Sequence, residues 1–481
     1  MFKKVDERFE IIRQKFIDNG SSVDMIEKAY NLAKLLHKNQ KRKDGQPYIS
    51  HPVEVAIILS RLDFDEEVIS GALLHDVVED CGFTLEQIAR EFNNNVAQMV
   101  DCVSAIDHEK YIFNKNDVFE DEDFEKASIE EQSFKKLIAI GKENPLGFCI
   151  KFADRLHNLS TIESFDYNKQ LEKVKETEKW IIPIAKILNS EYFYRELKNE
   201  CFKIVHRFEG QHYLAQYNAF HELNTETIKD IKVKFNDAFS TSYVKQIIVG
   251  DVKEYKVFED LSKMFKNLNI AKISQGQILK VTNYNIYLLY ENENYNEIIS
   301  DILNRISNKI GGVVKIIDAR VGNFTKKPYY QLEDKYKNKF NLYVMSKDDY
   351  YVLRNGTLDG RNSQFIDEDN IDTLGDDLIR VYTKSGDSKF VAAGSSVLDV
   401  AFKIHKDLGL GFKYAIINDS KTKVPPYSKV YEGDKIEIVV DRDEGGKIIK
   451  NASLKWFAYV NSDLAKKCLI KEFEKKMQEK K

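Results

Sequence analysis

The feature that most constrains this chain is a change of hydrophobic rhythm. From about residue 7 to 207, apolar residues recur at spacings of three and four, as in "MIEKAYNLAKLLHKN", "PVEVAIILSRL" and "VISGALLHDVVED". That spacing predicts a compact, nearly all-helical domain. After about residue 210, β-branched and aromatic runs such as "YVKQIIV", "YNIYLLYE" and "VVKIIDARV" alternate with helical ones such as "DLSKMFKNL" and "NEIISDILNRISNKI", which predicts an α+β domain. With 481 residues and 43% hydrophobic content the chain can bury several cores. The expected organisation is a helical domain over 1–207, an α+β domain over 208–352 and an Asn-, Asp- and Gly-rich linker over 353–377. A small domain over 378–441 and a tail over 442–481 follow, the tail reading as a solvated charged helix. In the small domain "LIRVYTKSGD" and "KFVAAGSS" predict a hairpin, "VLDVAFKIHKDLG" a helix, and "KYAIIN" and "DKIEIVV" further strands.

Charge and cysteine usage exclude several function classes. A formal net charge of -4 gives no global basic field for nucleic acid and no polybasic anchor for a membrane. The five cysteines are scattered without a CxxC pair, which argues against a zinc ribbon and a disulfide framework and fits a reducing cytoplasm. No stretch is apolar for long enough to span a bilayer. Glu120 to Glu131 holds seven acidic residues and a single Lys126; it reads as a solvated loop or, more sharply, as an acidic flap near the mouth of a site.

The chemistry concentrates in "GALLHDVVEDCGFT", residues 71–84, where His75, Asp76, Glu79 and Asp80 share what otherwise reads as one buried helix. Buried carboxylates beside an imidazole repel one another unless a cation neutralises them or solvent reaches them. His51 opens the apolar "SHPVEVAII", and Asp154 follows the apolar "FCIKFA" in "CIKFADRLHNLST". His51, His75, Asp76 and Asp154 make a mixed nitrogen and oxygen set that suits octahedral manganese or iron better than thiolate zinc. Glu79 and Asp80, one turn further on, are left for proton transfer and water orientation, a layout for metal-assisted hydrolysis. The Lys-Arg-Lys run 41–43 before "DGQPY" supplies cations for an anionic ligand from a turn. His37 and His157 read as support or core residues.

In order and spacing, "HKNQKRKDGQPYISHPVEVA", "ALLHDVVED" and "KFADRLHNLSTI" resemble the hydrolase domain of the RelA/SpoT homologue family, a branch of the HD-domain phosphohydrolases. The resemblance implies an all-α domain that removes pyrophosphate from the 3′ position of guanosine tetraphosphate or pentaphosphate with manganese (Mn2+). It implies His51, His75, Asp76 and Asp154 as metal ligands and Glu79 with Asp80 as the acidic pair handling the attacking water. Arg42 and Lys43 match basic residues of the nucleotide site, and Arg155, Asn158 and Thr161 fall where the family meets ribose, base or phosphate. Asp44 stands where the family usually has Ser, which bears on base contacts. Residues 175–202 resemble the family's closing helices, with "KILN" in place of "HRLG".

In long members a nucleotide synthetase domain comes next. Here the family's GRxK-, YQSLH- and ExQIRT-type motifs are missing; the nearest echo is "ARVGNFTKKPYYQLEDKY". A degenerate synthetase-like domain is therefore expected, with a ferredoxin-like regulatory module over 243–320 as the alternative. Residues 378–441 resemble a TGS domain, a small β-grasp module, which implies tRNA, ribosome or carrier-protein contact; His405 matches the position that meets a tRNA end, or is an ordinary surface residue. The expected activity is a 3′-pyrophosphohydrolase. The alternatives are a hydrolase of another 3′-phosphorylated nucleotide and an alarmone-sensing binding protein acting through its TGS domain.

Overall fold

The structure, a computed structural model, describes residues 2–43, 45–104, 136–141, 143–240, 243–265, 268–291, 295–310, 314–321, 328–359, 378–443 and 445–478. Asp44, the acidic stretch 120–131 and residues 360–377 of the expected linker lie outside these. The chain divides into two compact units, Met1–Phe365 and Ile366–Lys481.

The first unit opens with α1 (Lys3–Asp18), α2 (Asp24–Leu36), α3 (Ser50–Ser60), α4 (Glu66–Leu74), α5 (Val77–Cys81), α6 (Leu85–Glu91) and α7 (Asn94–Val103). After them come α8 (Leu146–Ser160), α9 (Tyr167–Glu176), α10 (Ile182–Ile187) and α11 (Glu191–Val205). Several starts are written in the sequence as side-chain caps: Asp65 accepts from Val68 N, Asn93 from Val96 N, and Thr84 with Gln87 closes a capping box. Helices α3, α4, α7 and α8 pack on one another through Val55, Leu59, Ile69, Leu73, Met99, Phe148 and Phe152, all fully buried. Gly71 makes the closest of these approaches possible. A Cβ there would lie 2.9 Å from Ile150 Cδ1, so its absence lets α4 lie against α8 and brings His75 beside Asp154, each one turn further on.

The single helix expected through 71–84 is interrupted. Helix α4 ends at Leu74, His75 and Asp76 form a turn, and α5 begins at Val77. Neighbouring side chains on an unbroken helix point about 100° apart. The break turns both toward one centre, with His75 Nε2 3.2 Å from Asp76 Oδ1.

Helix α12 (Gln211–Phe239) leads into the middle region, a five-stranded sheet of order β1-β2-β5-β4-β3. Its strands are β1 (Val244–Gly250), β2 (Asn283–Tyr290), β3 (Val314–Val321), β4 (Pro328–Asp334) and β5 (Lys339–Ser346). Helices α13 (Glu254–Met264) and α14 (Gln275–Val281) connect β1 to β2, and α15 (Tyr295–Lys309) connects β2 to β3. Alternation puts Ile286, Leu288, Leu332, Phe340 and Leu342 on a face buried against Phe235, Phe239, Leu261 and Ile302. The opposite face stacks Tyr287 and Tyr329 on Tyr343 at 5.2 and 5.1 Å. Strands β2 and β5 run parallel, from Asn283↔Lys339 to Tyr290↔Ser346, while the other pairs are antiparallel. Among the described residues of 243–320 the order is strand, two helices, strand, helix, strand, and not the strand-helix-strand-strand-helix-strand order of the ferredoxin-like alternative.

Helix α16 (Lys347–Asn355), capped by Ser346, returns to the helical region. Arg354 Nη2 donates to Leu62 O at 2.5 Å and pairs with Asp63 at 3.1 Å, and Asn355 Nδ2 donates to the same carbonyl at 3.2 Å. Gly356, at φ +68, lies so close to Leu188 O that a Cβ would come within 2.0 Å. The first residues of the 353–377 stretch are thus helix and anchor. In "KILN", Asn189 adopts φ +53, a left-handed turn that Asn tolerates where Gly is usual.

The second unit forms a sheet of order β7-β6-β10-β8-β9, from β6 (Leu378–Thr383), β7 (Ser388–Ala392), β8 (Phe412–Ile417), β9 (Lys423–Val424) and β10 (Lys435–Val440). The helix expected across "VLDVAFKIHKDLG" divides at His405 into α17 (Val397–Ile404) and α18 (Lys406–Leu410), because the His405 side chain caps α18 by accepting from Asp407 N. The tail is not merely solvated: Trp456, Val460, Ala465 and Leu469 are buried in this unit's core, the last two on α19 (Asp463–Gln478).

Candidate metal centre

His51 enters from the first turn of α3, His75 and Asp76 from the turn between α4 and α5, and Asp154 from the middle of α8. His51 Nε2 lies 3.2 Å from Asp154 Oδ1 and 3.7 Å from Asp76 Oδ2, and His75 Nε2 lies 3.9 Å from Asp154 Oδ1. One ligand atom each from His51, His75 and Asp154 falls within 4.8 Å of the others. Both histidines are buried.

The donors fit a divalent cation. His75 Nδ1 bonds the Ala72 carbonyl at 2.8 Å and so carries a proton, while its buried Nε2 has no hydrogen-bond partner among the described residues. A lone pair aimed at two carboxylates needs positive charge between them. Burial alone would push the His75 pKa down, but Asp76 and Asp154 raise it. Burial would raise Asp154, but the hydrogen bond with His51 and the charge of Lys151 hold its carboxyl well below the usual range. Oxygen and imidazole donors without thiolate suit a harder first-row ion.

A second ring of residues sets the first. His157 Nδ1 lies 2.7 Å from His51 Nδ1; burial, then the neighbouring His51, pushes the His157 pKa down to about 3. Neutral His157 therefore accepts the His51 Nδ1 proton and leaves His51 Nε2 facing the centre. Tyr48 donates to Asp76 Oδ2 at 2.9 Å and also meets the Asp80 carboxylate, and it stacks on buried His37 at 4.8 Å. Asn158 Nδ2 donates to Asp154 Oδ1 at 2.6 Å.

The centre opens into a cavity of about 440 Å³ lined by His51, His75, Asp76, Glu79, Asp154, Arg155 and Asn158, among others. A second cavity of about 500 Å³ shares Arg42, Tyr48, Lys151, Arg155 and Lys173 with it and continues to Lys41, Lys43 and Thr161. Arg42 donates to Thr161 Oγ1 at 3.2 Å, and Lys43 lies 3.8 Å over the Phe165 ring. Asp80 is among the lining residues of neither cavity; its backbone carbonyl accepts from Gln40. His51, His75, Asp76 and Glu79 line the first chamber, Lys43 and Thr161 the second, and Arg42, Asp154, Arg155 and Asn158 both, whereas His37 and His157 line neither.

Sequence reasoning missed Tyr48, Lys151, Lys173, Glu176 and Trp180. Lys151 was legible, since it precedes Asp154 by one turn on the same face. Glu176 was not: it joins Arg155, at 2.5 Å, to Lys173, at 2.7 Å, across two helices. Trp180 lies in a π-helical turn, Thr177–Ile181, just ahead of Pro183, whose missing N–H disfavours a regular helix there.

Two family models match parts of the chain. A family model described as HD domain matches residues 29–188, and one described as TGS domain matches residues 379–440. The "Probable guanosine-3′,5′-bis(diphosphate) 3′-pyrophosphohydrolase" of Synechocystis is 25% identical over 466 residues, 91% of this chain and 58% of that protein. The chain thus combines an HD domain with a TGS domain, and proteins named as guanosine-3′,5′-bis(diphosphate) 3′-pyrophosphohydrolases and GTP pyrophosphokinases are similar to it over most of its length. The "Guanosine-3′,5′-bis(diphosphate) 3′-pyrophosphohydrolase" of Haemophilus influenzae is 37% identical over 175 residues, 36% of this chain and 24% of that protein. The "GTP pyrophosphokinase" of Myxococcus xanthus is 25% identical over 488 residues, 95% of this chain and 61% of its own length. Matches along most of this chain therefore span about three fifths of those longer relatives. No described helix is long and apolar enough to cross a membrane.

Proposed function

We propose that this protein hydrolyses the 3′-pyrophosphate of guanosine tetraphosphate or pentaphosphate, giving GDP or GTP and pyrophosphate, with manganese as its metal. The observation that carries the reading is a buried His51, His75, Asp154 cluster opening onto chambers walled by Arg42, Lys43, Lys151, Arg155 and Lys173. A divalent ion held by His51, His75, Asp76 and Asp154 supplies charge that polarises a phosphoryl oxygen and makes water more acidic. Glu79, on the cavity wall, takes the proton from the attacking water. Asp80, through Tyr48, holds Asp76 in place. Water oxygen bonds to phosphorus, the bond from phosphorus to the ribose 3′ oxygen breaks, and that oxygen gains a proton. Arg42, Lys43 and Arg155 neutralise the phosphates, and Asn158 and Thr161 set the ribose and base.

We further infer that the middle domain is silent in synthesis, since residues 208–352 lack the family's synthetase motifs. The TGS domain is read as the contact for tRNA, the ribosome or a carrier protein, with exposed His405 at a helix start, and the cytoplasm as the compartment.

The test is a panel of 3′-phosphorylated guanosine and adenosine nucleotides incubated with the protein and Mn2+. Guanosine tetraphosphate should be cut, and Asp76→Ala or Glu79→Ala should abolish turnover with the fold intact. Turnover by either variant would sink the assignment, faster cleavage of an adenosine analogue would redirect it, and product from ATP and GDP would refute the silent middle domain.

A further inference from the structure

The cations on the wall between the two cavities are not equivalent. Arg155 and Lys173 share Glu176, and Arg42 holds Thr161. Lys151 lines both chambers, and its ion-pair partner among the described residues is Asp154, with Nζ 3.6 Å from Oδ2. That separation is beyond a hydrogen bond. None of its three N–H donors is bonded among the described residues, although its side chain is only 24% exposed. Asp154 divides its carboxylate accordingly. Oδ1 faces His51 at 3.2 Å and accepts from Asn158, while Oδ2 faces Lys151.

An ammonium so placed has two physical consequences. It competes with a metal ion for the same carboxylate and repels that ion, which weakens metal binding. It also offers unspent donors to a phosphoryl oxygen entering from the basic chamber, where they meet the charge that grows on that group as its bond is cut. Arg155 and Lys173, tethered to Glu176, have less freedom to do so.

We propose that Lys151 is a catalytic residue that binds the phosphoryl group under attack, and that it opposes metal binding at Asp154 as the cost of that position. The catalytic half rests on the phosphohydrolase reading above; the electrostatic half does not. Lys151→Met keeps the length and apolar stem without the charge, and Lys151→Arg keeps the charge.

The experiment measures, in the full chain, the Mn2+ dissociation constant by competition with a fluorescent chelator in the absence of nucleotide. It also measures pyrophosphate release from guanosine tetraphosphate at saturating Mn2+. K151M should bind Mn2+ about tenfold more tightly and lose about 10²-fold in kcat, with unchanged circular dichroism, and K151R should recover part of the kcat. A K151M protein with wild-type kcat, or one that binds Mn2+ more weakly, overturns the proposal. If the wild-type protein cuts none of the nucleotides, the hydrolase reading fails and takes the catalytic half with it, while the Mn2+ titration decides the electrostatic half alone.

Discussion

Glu176→Gln is a perturbation whose size can be worked from the structure. Burial alone would raise the Glu176 carboxyl, but the hydrogen bond and charge of Arg155, with Lys173 behind them, hold its pKa at about 2 instead of the ordinary 4.5. At about 1.4 kcal/mol per pH unit, that difference is worth roughly 3 kcal/mol. The carboxylate keeps 24% of its side-chain surface in solvent, so screening reduces the figure to about 1–2 kcal/mol. The sign follows from a depressed acid: the stabilisation is complete above the unfolded value of 4.5 and is lost as pH falls through about 2. Gln cannot ionise, so the wild-type advantage should be about 1–2 kcal/mol at pH 7, still present at pH 5, and below half that at pH 3. Urea unfolding followed by Trp180 fluorescence reads this directly, with both proteins carrying Trp456→Phe so that Trp180 is the remaining tryptophan of two. An advantage that is absent at pH 7, or as large at pH 3 as at pH 7, would refute the reasoning.

Two further outcomes are expected. His157→Ala removes the acceptor that orients His51, so Mn2+ affinity should fall by about 10- to 100-fold in a chelator competition; unchanged affinity would remove His157 from the site. Arg354→Ala removes the grip on Leu62 and Asp63, costing about 1–3 kcal/mol. Hydrogen exchange should then quicken in the turn between α3 and α4, and an unchanged rate there would show that the anchor carries no load.

How much of this was legible in the sequence varies with the range of the interactions involved. His51, His75 and Asp154 stood out because each is a polar residue in an apolar helical pattern, a local anomaly that a chain tolerates only when charge is compensated. The helical domain and the strands of the middle sheet follow from local periodicity in the same way. The turn at His75 and Asp76 was hidden, because the apolar rhythm continues through it and only the cluster itself calls for the break. The sheet order was hidden too, since the parallel pairing of β2 with β5 joins segments separated by more than forty residues. The pairing of His157 with His51, 106 residues apart, and the Glu176 clamp are of this kind. Glu79 and Asp80, adjacent in sequence, point about 100° apart on α5, so Glu79 lines the cavity while the Asp80 carboxylate meets Tyr48, a difference that adjacency alone does not reveal.

The central claim is that a metal held by His51, His75, Asp76 and Asp154 cuts a nucleotide at its 3′ position. The most direct measurement is the product set from guanosine tetraphosphate, resolved by anion-exchange chromatography, for protein stripped with chelator and for the same protein after Mn2+ is restored. GDP and pyrophosphate in equal amounts, formed only when Mn2+ is restored, are the expected result. Intact substrate in both samples, loss of the 5′ phosphate instead, or equal turnover in the stripped protein would contradict it.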